Sequence, residues 1–465
     1  MQSTRQSHGW RKLYETQQPP LVQSWLGPRE WLSSGPLPQE TKTAIVSSRL
    51  PRTLNPHGPW LQALRAALER VLSRHRLLVI APGSAGHELI LRGAERLAVP
   101  TVLVHCWDRC VQSDAYWQRE LEQSLGSAPR RHQTELWALA GQSTDSGNTQ
   151  QQELRTTPER DRAAIAWGEE VIVLGLRLGG NIHKLLKRRL ADASGSVCII
   201  DLPHLQSRTV RREMLELGAM LWNPLSTSST PVFFQSSATS AQIAIAPHAA
   251  TGLQAPIEFS RDDNHREFLT HTTRACSGPW PNQSHQDYWD SLLDARPDSD
   301  HSPLAALTRI VVQRRLIASS QAIRGGYGVV CFTAVPVWEL PRLRTFRSHR
   351  GRWDFEPYGI CIRRDWLQSR GARPVRYGDE SVWNELEPGE RAYFQCLRQP
   401  TRTSDPAKPV ISKPVIDWSI EQEWRMVGDL DLSTLSEREG FVFVASIEEA
   451  VRLRPISPWP VAVLR

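Results

Sequence analysis

Leu77-Leu78-Val79-Ile80-Ala81-Pro82-Gly83-Ser84-Ala85-Gly86 decides how this chain folds. Four consecutive apolar residues run into a turn with two glycines three apart, and residues 88–97 follow with helical spacing. A short unbroken apolar run is the pattern of a strand buried on both faces, as in a parallel sheet covered by helices. Strand, glycine turn and helix in that order make an anion site when backbone N–H groups and a helix N-terminus converge on a phosphate. Gly83, Ser84, Ala85 and Gly86 are therefore expected to contact a nucleotide phosphate. A plain tight turn, which also favours glycine, is the alternative.

The same alternation extends outward. Residues 60–72 carry apolar side chains at helical spacing, and Thr101-Val102-Leu103-Val104 is a second buried-type strand. Residues 116–125 read as a helix and 142–157, rich in Gln, Thr and Ser, as a loop. Then come a helix over 158–167, the strand Glu170-Val171-Ile172-Val173-Leu174, a second glycine turn Gly179-Gly180-Asn181, a helix over 182–190 and the strand Val197-Cys198-Ile199-Ile200. A helix over 209–217 and a last strand, Pro231-Val232-Phe233-Phe234, complete the series. Strand–helix repetition of this kind predicts a doubly wound parallel sheet, with both glycine turns at its carboxyl edge. From residue 267 the pattern becomes mixed. Amphipathic strands are expected at 268–270, 328–333, 358–362, 375–377, 423–427, 441–445 and 461–464, with one clear helix over 304–313. The fold class is thus α/β, a Rossmann-like parallel sheet domain followed by an α+β domain with a mostly antiparallel sheet. The expected organisation is a loosely structured arm (1–58), a Rossmann-like nucleotide-binding domain (59–235), a linker (236–264) and an α+β effector domain (265–465).

Bulk composition narrows the class. The chain has 465 residues, 40% hydrophobic and 23% charged, which suits a globular protein with more than one core. It has no apolar run long enough for a membrane helix and no secretory leader, so no membrane partner and a cytoplasmic location are expected. Seven cysteines without framework spacing argue against a disulfide scaffold. Cys106-x-x-x-Cys110 beside His105 lacks a second ligand pair, so no metal is expected. The net charge of +7 is carried by short, dispersed basic clusters. Nucleic acid is therefore a partner the sequence allows without favouring, as it allows a homo-oligomer.

The first half also carries a resemblance. Pro82-Gly83-Ser84-Ala85-Gly86 with its following helix, Val99-Pro100-Thr101-Val102, and the strand at 170–174 with Gly179-Gly180-Asn181 resemble the Rossmannoid family that includes lysine-decarboxylase-like and DNA-processing proteins. The resemblance spans about residues 75–205 and implies a bound nucleotide or nucleotide derivative, with Gly179, Gly180 and Asn181 as a second contact. The longer Gly-Gly-x-Gly-Thr motif of that family's catalytic branch is missing here, which favours sensing over hydrolysis.

Three segments of the second half carry candidate chemistry: Phe268-Leu269-Thr270-His271-Thr272-Thr273-Arg274, Gly325 to Thr333, and Trp418-Ser419-Ile420-Glu421-Gln422-Glu423-Trp424-Arg425. A His, an aromatic and a Glu on separate strands are what ADP-ribosyl transfer from NAD needs. His271 would hold the ribose, Phe332 and Thr333 would line the nicotinamide side, and Glu423, on one strand face with Glu421, would be the catalytic carboxylate. Arg274 and Arg425 complete the cofactor-binding set. Each has a plainer reading: a packed His, a Glu–Arg ion pair tying strands together, and tryptophans in the core. The run Arg342, Arg344, Arg347, Arg350 is either a solvated face or, with His349 and Trp353 interleaved, a phosphate-tracking surface. His271-x-x-Arg274, Cys331-Phe332-Thr333-x-Val335-Pro336, Tyr358-Gly359-Ile360, Pro374-Val375-x-Tyr377 and Glu421-x-Glu423-Trp424-Arg425 resemble the abortive-infection phage-resistance proteins over about residues 265–465. This implies a sensor–effector protein of bacterial phage defence that binds NAD or another nucleotide. A non-enzymatic nucleotide- or nucleic-acid-binding scaffold is the alternative.

Overall fold

The computed structural model describes residues 10–13, 17–27, 29–51, 53–106, 119–123, 132–138, 154, 156–202, 204–224, 267–321, 323–347, 352–397 and 417–464. The chain forms two compact units, one of residues 1–238 with 283–300, the other of 239–282 with 301–465. Fold class follows expectation: a mostly parallel sheet with helices, then a mostly antiparallel one.

The sheet of the first unit contains β1 (Arg11–Leu13), β2 (Trp31–Ser33), β3 (Lys42–Ser47), β4 (Leu77–Ile80), β5 (Thr101–His105), β6 (Gln133–Ala138), β7 (Glu170–Gly175), β8 (Ser196–Ile200) and β9 (Met220–Trp222). Their spatial order is β1-β2-β6-β5-β4-β3-β7-β8-β9. Strands β3 to β9 run parallel, and β2 and β1 add an antiparallel edge. The chain therefore winds one way from β3 through β4, β5 and β6, and the other way through β7, β8 and β9.

Helices α1 (Pro20–Leu26), α2 (Pro59–Ser73), α3 (His87–Arg96), α4 (Glu159–Trp167), α5 (Asn181–Ala191), α6 (Arg208–Glu216) and α7 (His285–Leu293) cover the two faces. Strand alternation sorts the core cleanly. Ala44, Val46, Leu77, Val79, Val171, Val173, Val197 and Ile199 pack with side chains of α1, α4, α5 and α6. Ile45, Leu78, Ile80, Ile172, Leu174, Cys198 and Ile200 pack with α2, α3 and α7. Each such large aliphatic side chain contributes about 1.5–3 kcal/mol through burial.

Two differences from expectation matter. The stretch 1–58, expected as a loosely structured arm, holds the central strand of the sheet. Thr43-Ala44-Ile45-Val46 is flanked by Lys42, Ser47, Ser48 and Arg49, so its short apolar run is diluted by polar neighbours. Its stability comes from parallel ladders on both sides, which no local pattern reveals. The second difference is that residues 283–300 belong with the first unit. Arg92 grips both oxygens of Asp290 (2.8 and 2.7 Å), and Arg96 reaches Asp290 and Asp294. Buried Arg65 donates to the Leu292, Leu293 and Pro56 carbonyls. Of the helix expected over 116–125, residues 119–123 are described and helical. The expected strand at 231–234, the linker at 236–264 and most of the 142–157 loop lie outside the described residues.

In the second unit the main sheet contains β10 (Phe268–Thr272), β11 (Val329–Thr333), β14 (Gly359–Arg363), β15 (Arg373–Pro374), β16 (Glu423–Val427), β17 (Gly440–Val444) and β18 (Val461–Val463). The order is β15-β16-β11-β10-β14-β17-β18, antiparallel except for the last pair. A hairpin of β12 (Thr345–Arg347) and β13 (Arg352–Asp354) and the helix α8 (Pro303–Gln313) complete the elements used below.

Replacing Arg65 by Met leaves buried carbonyls at the end of α7 without their donor. Urea denaturation of Arg65→Met should show a loss of about 3 kcal/mol. A loss within error of zero would show that α7 is held by its surface ion pairs alone.

Candidate functional site

Where strand order reverses, the loops leaving β3 and β7 diverge and leave a crevice at the carboxyl edge of the sheet. That crevice is a cavity of about 470 Å³. Ser48, Arg49 and Pro51 line it from the end of β3, Gly175 to Leu178 from the end of β7, His204 to Ser207 from the segment after β8, and Trp60 from α2.

The wall is closely tied. The Ser48 amide donates to the Gly175 carbonyl (2.8 Å), and the Arg177 amide to the Ser48 hydroxyl (3.1 Å). Trp60 Nε1 donates to Ser47 Oγ (3.1 Å). A Cβ at Gly175 would lie 3.3 Å from that same Oγ, so glycine is what lets the two strand ends approach. His204 sits at φ 68°, a left-handed conformation uncommon for a residue with a side chain.

The polar character of the cavity is cationic with one open acceptor. Arg49 and Arg177 are exposed and form no ion pair with a described carboxylate. Gln206 Nε2 donates to the Ile200 carbonyl (2.6 Å), while its buried Oε1 has no partner among the described residues. Ser207 caps α6 by accepting from the Val210 amide. The N-cap of α5, Gly180, supplies no side-chain cap, and a Cβ there would lie 3.9 Å from Ser48 Oγ. Uncapped first-turn N–H groups are orphan donors that favour anions. His183 holds this turn, accepting from the Gly179 amide at Nδ1 (3.4 Å) and meeting Glu213 through Nε2 (3.0 Å).

The structure thus separates the two glycine turns. Gly179, Gly180 and Asn181 directly follow the lining residues Arg177 and Leu178 but are not themselves part of the cavity lining. Gly83, Ser84, Ala85 and Gly86 end β4, one strand away, and do not line it. Their geometry has its own cause. Gly83 and Gly86 lie at φ 84° and 80°, and a Cβ at Gly86 would press on the Trp60 ring at 3.1 Å. The Ser84 and His87 amides are already donated to the Ala81 and Ser84 carbonyls. Ser48, Arg49, Arg177, His204 and Gln206 were missed from sequence. The signal that could have found the first two is the short apolar run of β3, read as β4 was read.

In the second unit the sheet divides the predicted residues. Thr270 pairs with Thr333, and Thr333 with Glu423, so these three share one face, together with Cys331 and Arg425. His271 and Phe332 project from the other face, in edge contact at 5.8 Å, and Phe332 belongs to the main core there. His271 Nδ1 bonds the Cys331 carbonyl (2.8 Å), and burial lowers its pKa to about 4. Thr333 donates its hydroxyl proton to the Glu421 carbonyl and accepts from the Val335 amide.

Glu423 and Arg425 form a two-pronged pair (2.9 and 3.0 Å). Arg425 is 1% exposed and also donates to the Ala392 and Phe394 carbonyls and to Gln395. Glu421 was expected on one strand face with Glu423. It lies instead in a short 3₁₀ turn, separated from β16 by Gln422 at φ 44°. Burial, then the charges of Glu423 and Asp354, raise Glu421 to about 7 against the pull of Arg347 and Arg274. Arg347 stands 3.8 Å from Glu421 and 2.9 Å from Asp354, and Arg274 4.0 Å from Asp354. Tyr377 Oη accepts from the Glu423 amide (2.8 Å), and burial raises the phenol to about 12. Burial, then the Glu423 charge, raises the Cys331 thiol to about 12. Burial and the neighbouring carboxylates thus suit Glu421 to carry a proton near neutrality. Among the described residues no group of three or more His, Cys, Asp or Glu side chains is arranged to hold a metal, and no helix is long and apolar enough to cross a membrane.

No family model and no curated protein matches the sequence. Among solved structures the chain is similar to DNA processing protein A from Streptococcus pneumoniae, at 15% identity and a TM-score of 0.31, covering 47% of this chain and 72% of that one. The Helicobacter pylori DNA processing protein A, described for its single-stranded DNA binding mode, gives 15% and 0.31 over 47% of this chain and 94% of that one. The molybdenum cofactor carrier protein of Chlamydomonas reinhardtii gives 11% and 0.24 over 40% and 92%. These matches fall in the N-terminal half and, at such scores, assign no residue a role.

Glu421 binds a proton in the folded chain at a pH where the unfolded chain has lost it, so its contribution to stability falls as pH rises from about 4.5 to about 7. Glu421→Gln removes that loss. Urea melts should show the variant gaining on the native chain by on the order of 2–3 kcal/mol between pH 5 and pH 8. A pH-independent difference would place Glu421 in a water-like setting.

Proposed function

We propose that the first unit binds a phosphate-bearing nucleotide in the switch-point cavity. The observation that carries this is the pair Arg49 and Arg177, without described carboxylate partners, on opposite lips of the crevice between β3 and β7. A phosphate meets two guanidiniums and the uncapped start of α5, and the open Gln206 Oε1 takes a donor from the sugar or base. A nucleoside without phosphate satisfies only Gln206. Calorimetric titration with a panel including NAD, mononucleotides and nucleosides should show binding that needs the phosphate. Arg49→Gln and Arg177→Gln should each weaken it by about tenfold, the scale of one charge-assisted contact. Equal affinity for nucleoside and nucleotide, or variants that bind as the native chain does, would refute the site.

A second reading is favoured by the Glu421–Glu423 pair: the second unit transfers ADP-ribose from NAD, as an effector in phage defence. The bond from ribose C1′ to nicotinamide breaks, nicotinamide leaves with the electron pair, and an acceptor bonds C1′ while its proton passes to Glu421. Glu423, held in place by its pair with Arg425, supports the developing positive charge. This reading moves the proton-transfer role to Glu421 and leaves His271 and Phe332, on the opposite face, outside the reacting group. NAD turnover assayed by nicotinamide release should fall at least ~100-fold in Glu421→Gln, the scale of a lost general base. A native chain that releases no nicotinamide with any acceptor, or an unaffected variant, would contradict it.

A further inference from the structure

The hairpin of β12 and β13 presents two large aromatic side chains to solvent. Phe346 is 44% exposed and Trp353 42%, and they are direct register partners with ring centroids 5.3 Å apart. A cross-strand aromatic pair steadies a hairpin, but that purpose does not require both rings to keep so much surface in water. The Arg344 guanidinium lies 4.8 Å from the Trp353 ring centre and is held there by Glu356 (2.9 Å). It covers part of one face of the indole, and Trp353 still keeps 42% of its surface exposed. Arg342, one turn earlier, is exposed and forms no ion pair with a described carboxylate. On the other hairpin face Arg347 is drawn to Asp354 and lies 5.0 Å from the Trp418 ring. The sequence from Trp338 to Asp354 carries five arginines against two carboxylates.

From these features we infer that the β12–β13 hairpin is a docking surface for single-stranded nucleic acid. Exposed rings stack on unpaired bases, and flanking guanidiniums follow the phosphates. Charge complementarity decides among occupants. An acidic peptide would use the arginines and leave both ring faces wet. An anionic membrane would call for a broader apolar face than two rings among polar neighbours. A duplex keeps its bases stacked on each other and offers the rings nothing to stack on. The surface lies within the second unit and is independent of the nucleotide cavity in the first.

The test uses the full chain and the fluorescence anisotropy of a labelled oligothymidylate. The native chain should bind it with an affinity that falls as salt rises. Phe346→Ala with Trp353→Ala should weaken binding by about tenfold or more, the scale of lost base stacking. Phe346→Tyr with Trp353→Phe should keep affinity within about threefold, since stacking tolerates ring identity. Arg342→Gln should flatten the salt dependence. The loss caused by the alanine pair should be of the same size when Arg49→Gln and Arg177→Gln are also present, which separates this surface from the cavity. Should the alanine pair not fold, photocrosslinking of a bromouracil oligonucleotide to the native chain takes its place, with label expected on the hairpin. The inference is overturned by native binding no stronger than to polyglutamate, to phosphatidylserine vesicles or to duplex DNA. Unchanged affinity in a folded alanine pair, or crosslinks mapping away from the hairpin, also overturns it.

Discussion

The side chain of Ser47 accepts a hydrogen bond from Trp60, and Gly175, with no Cβ, comes close against it. This contact joins the ends of β3 and β7 at the point where the sheet changes winding direction. Crossovers between parallel strands are right-handed, so winding to either side of β3 places helices on opposite faces. The two loops must then part, and the crevice between them follows from topology. What the sequence adds is its lining, which includes two exposed arginines and Gln206 with an acceptor unpaired among the described residues, and just beyond Leu178 a helix start with no capping side chain. The opposite end of β7 holds its charge differently. Buried Glu170 is surrounded by Arg70, Arg74 and Arg76, so there the cations are consumed by the fold.

In the second unit the comparable centre is Arg425. It is fully buried, and its donors go to Glu423, two carbonyls and Gln395. An arginine in that position costs too much to leave unpaired, so Glu423 is fixed against it by the fold itself. The neighbouring Glu421 has Arg347 at 3.8 Å and the field of Arg274, and burial outweighs them. One carboxylate is thereby committed to an ion pair and the other to titrating near neutrality.

The sequence was most legible where local pattern and tertiary role agree. Leu77–Ile80, Thr101–His105, Glu170–Gly175 and Ser196–Ile200 are buried on both faces, and their unbroken apolar runs announced them. Antiparallel strands of the second unit were found for the related reason that they carry short β-branched or aromatic runs, as in Val329–Thr333 and Gly440–Val444. β3 was missed because its stability comes from both neighbours, and with it went the place of the switch-point cavity. The glycine count marked both turns but not their rank, since only strand order distinguishes the end of β7 from the end of β4. His271 and Glu423 looked like one constellation because the register that places them on opposite faces is not a local property. The Glu423–Arg425 ion pair was readable from the sequence and is present, whereas the shared strand face expected for Glu421 and Glu423 is not.

The central claim is that the ligand of the first unit sits at the β3–β7 switch point and not at the Gly83–Gly86 turn. Photolabelling the full chain with an azido-nucleotide, followed by peptide mapping, tests it most directly. The label is predicted on the segments at 48–51, 175–178 or 204–207, and it should be displaced by unlabelled nucleotide. Displaceable label on the 83–87 turn, or only in the second unit, would contradict the assignment.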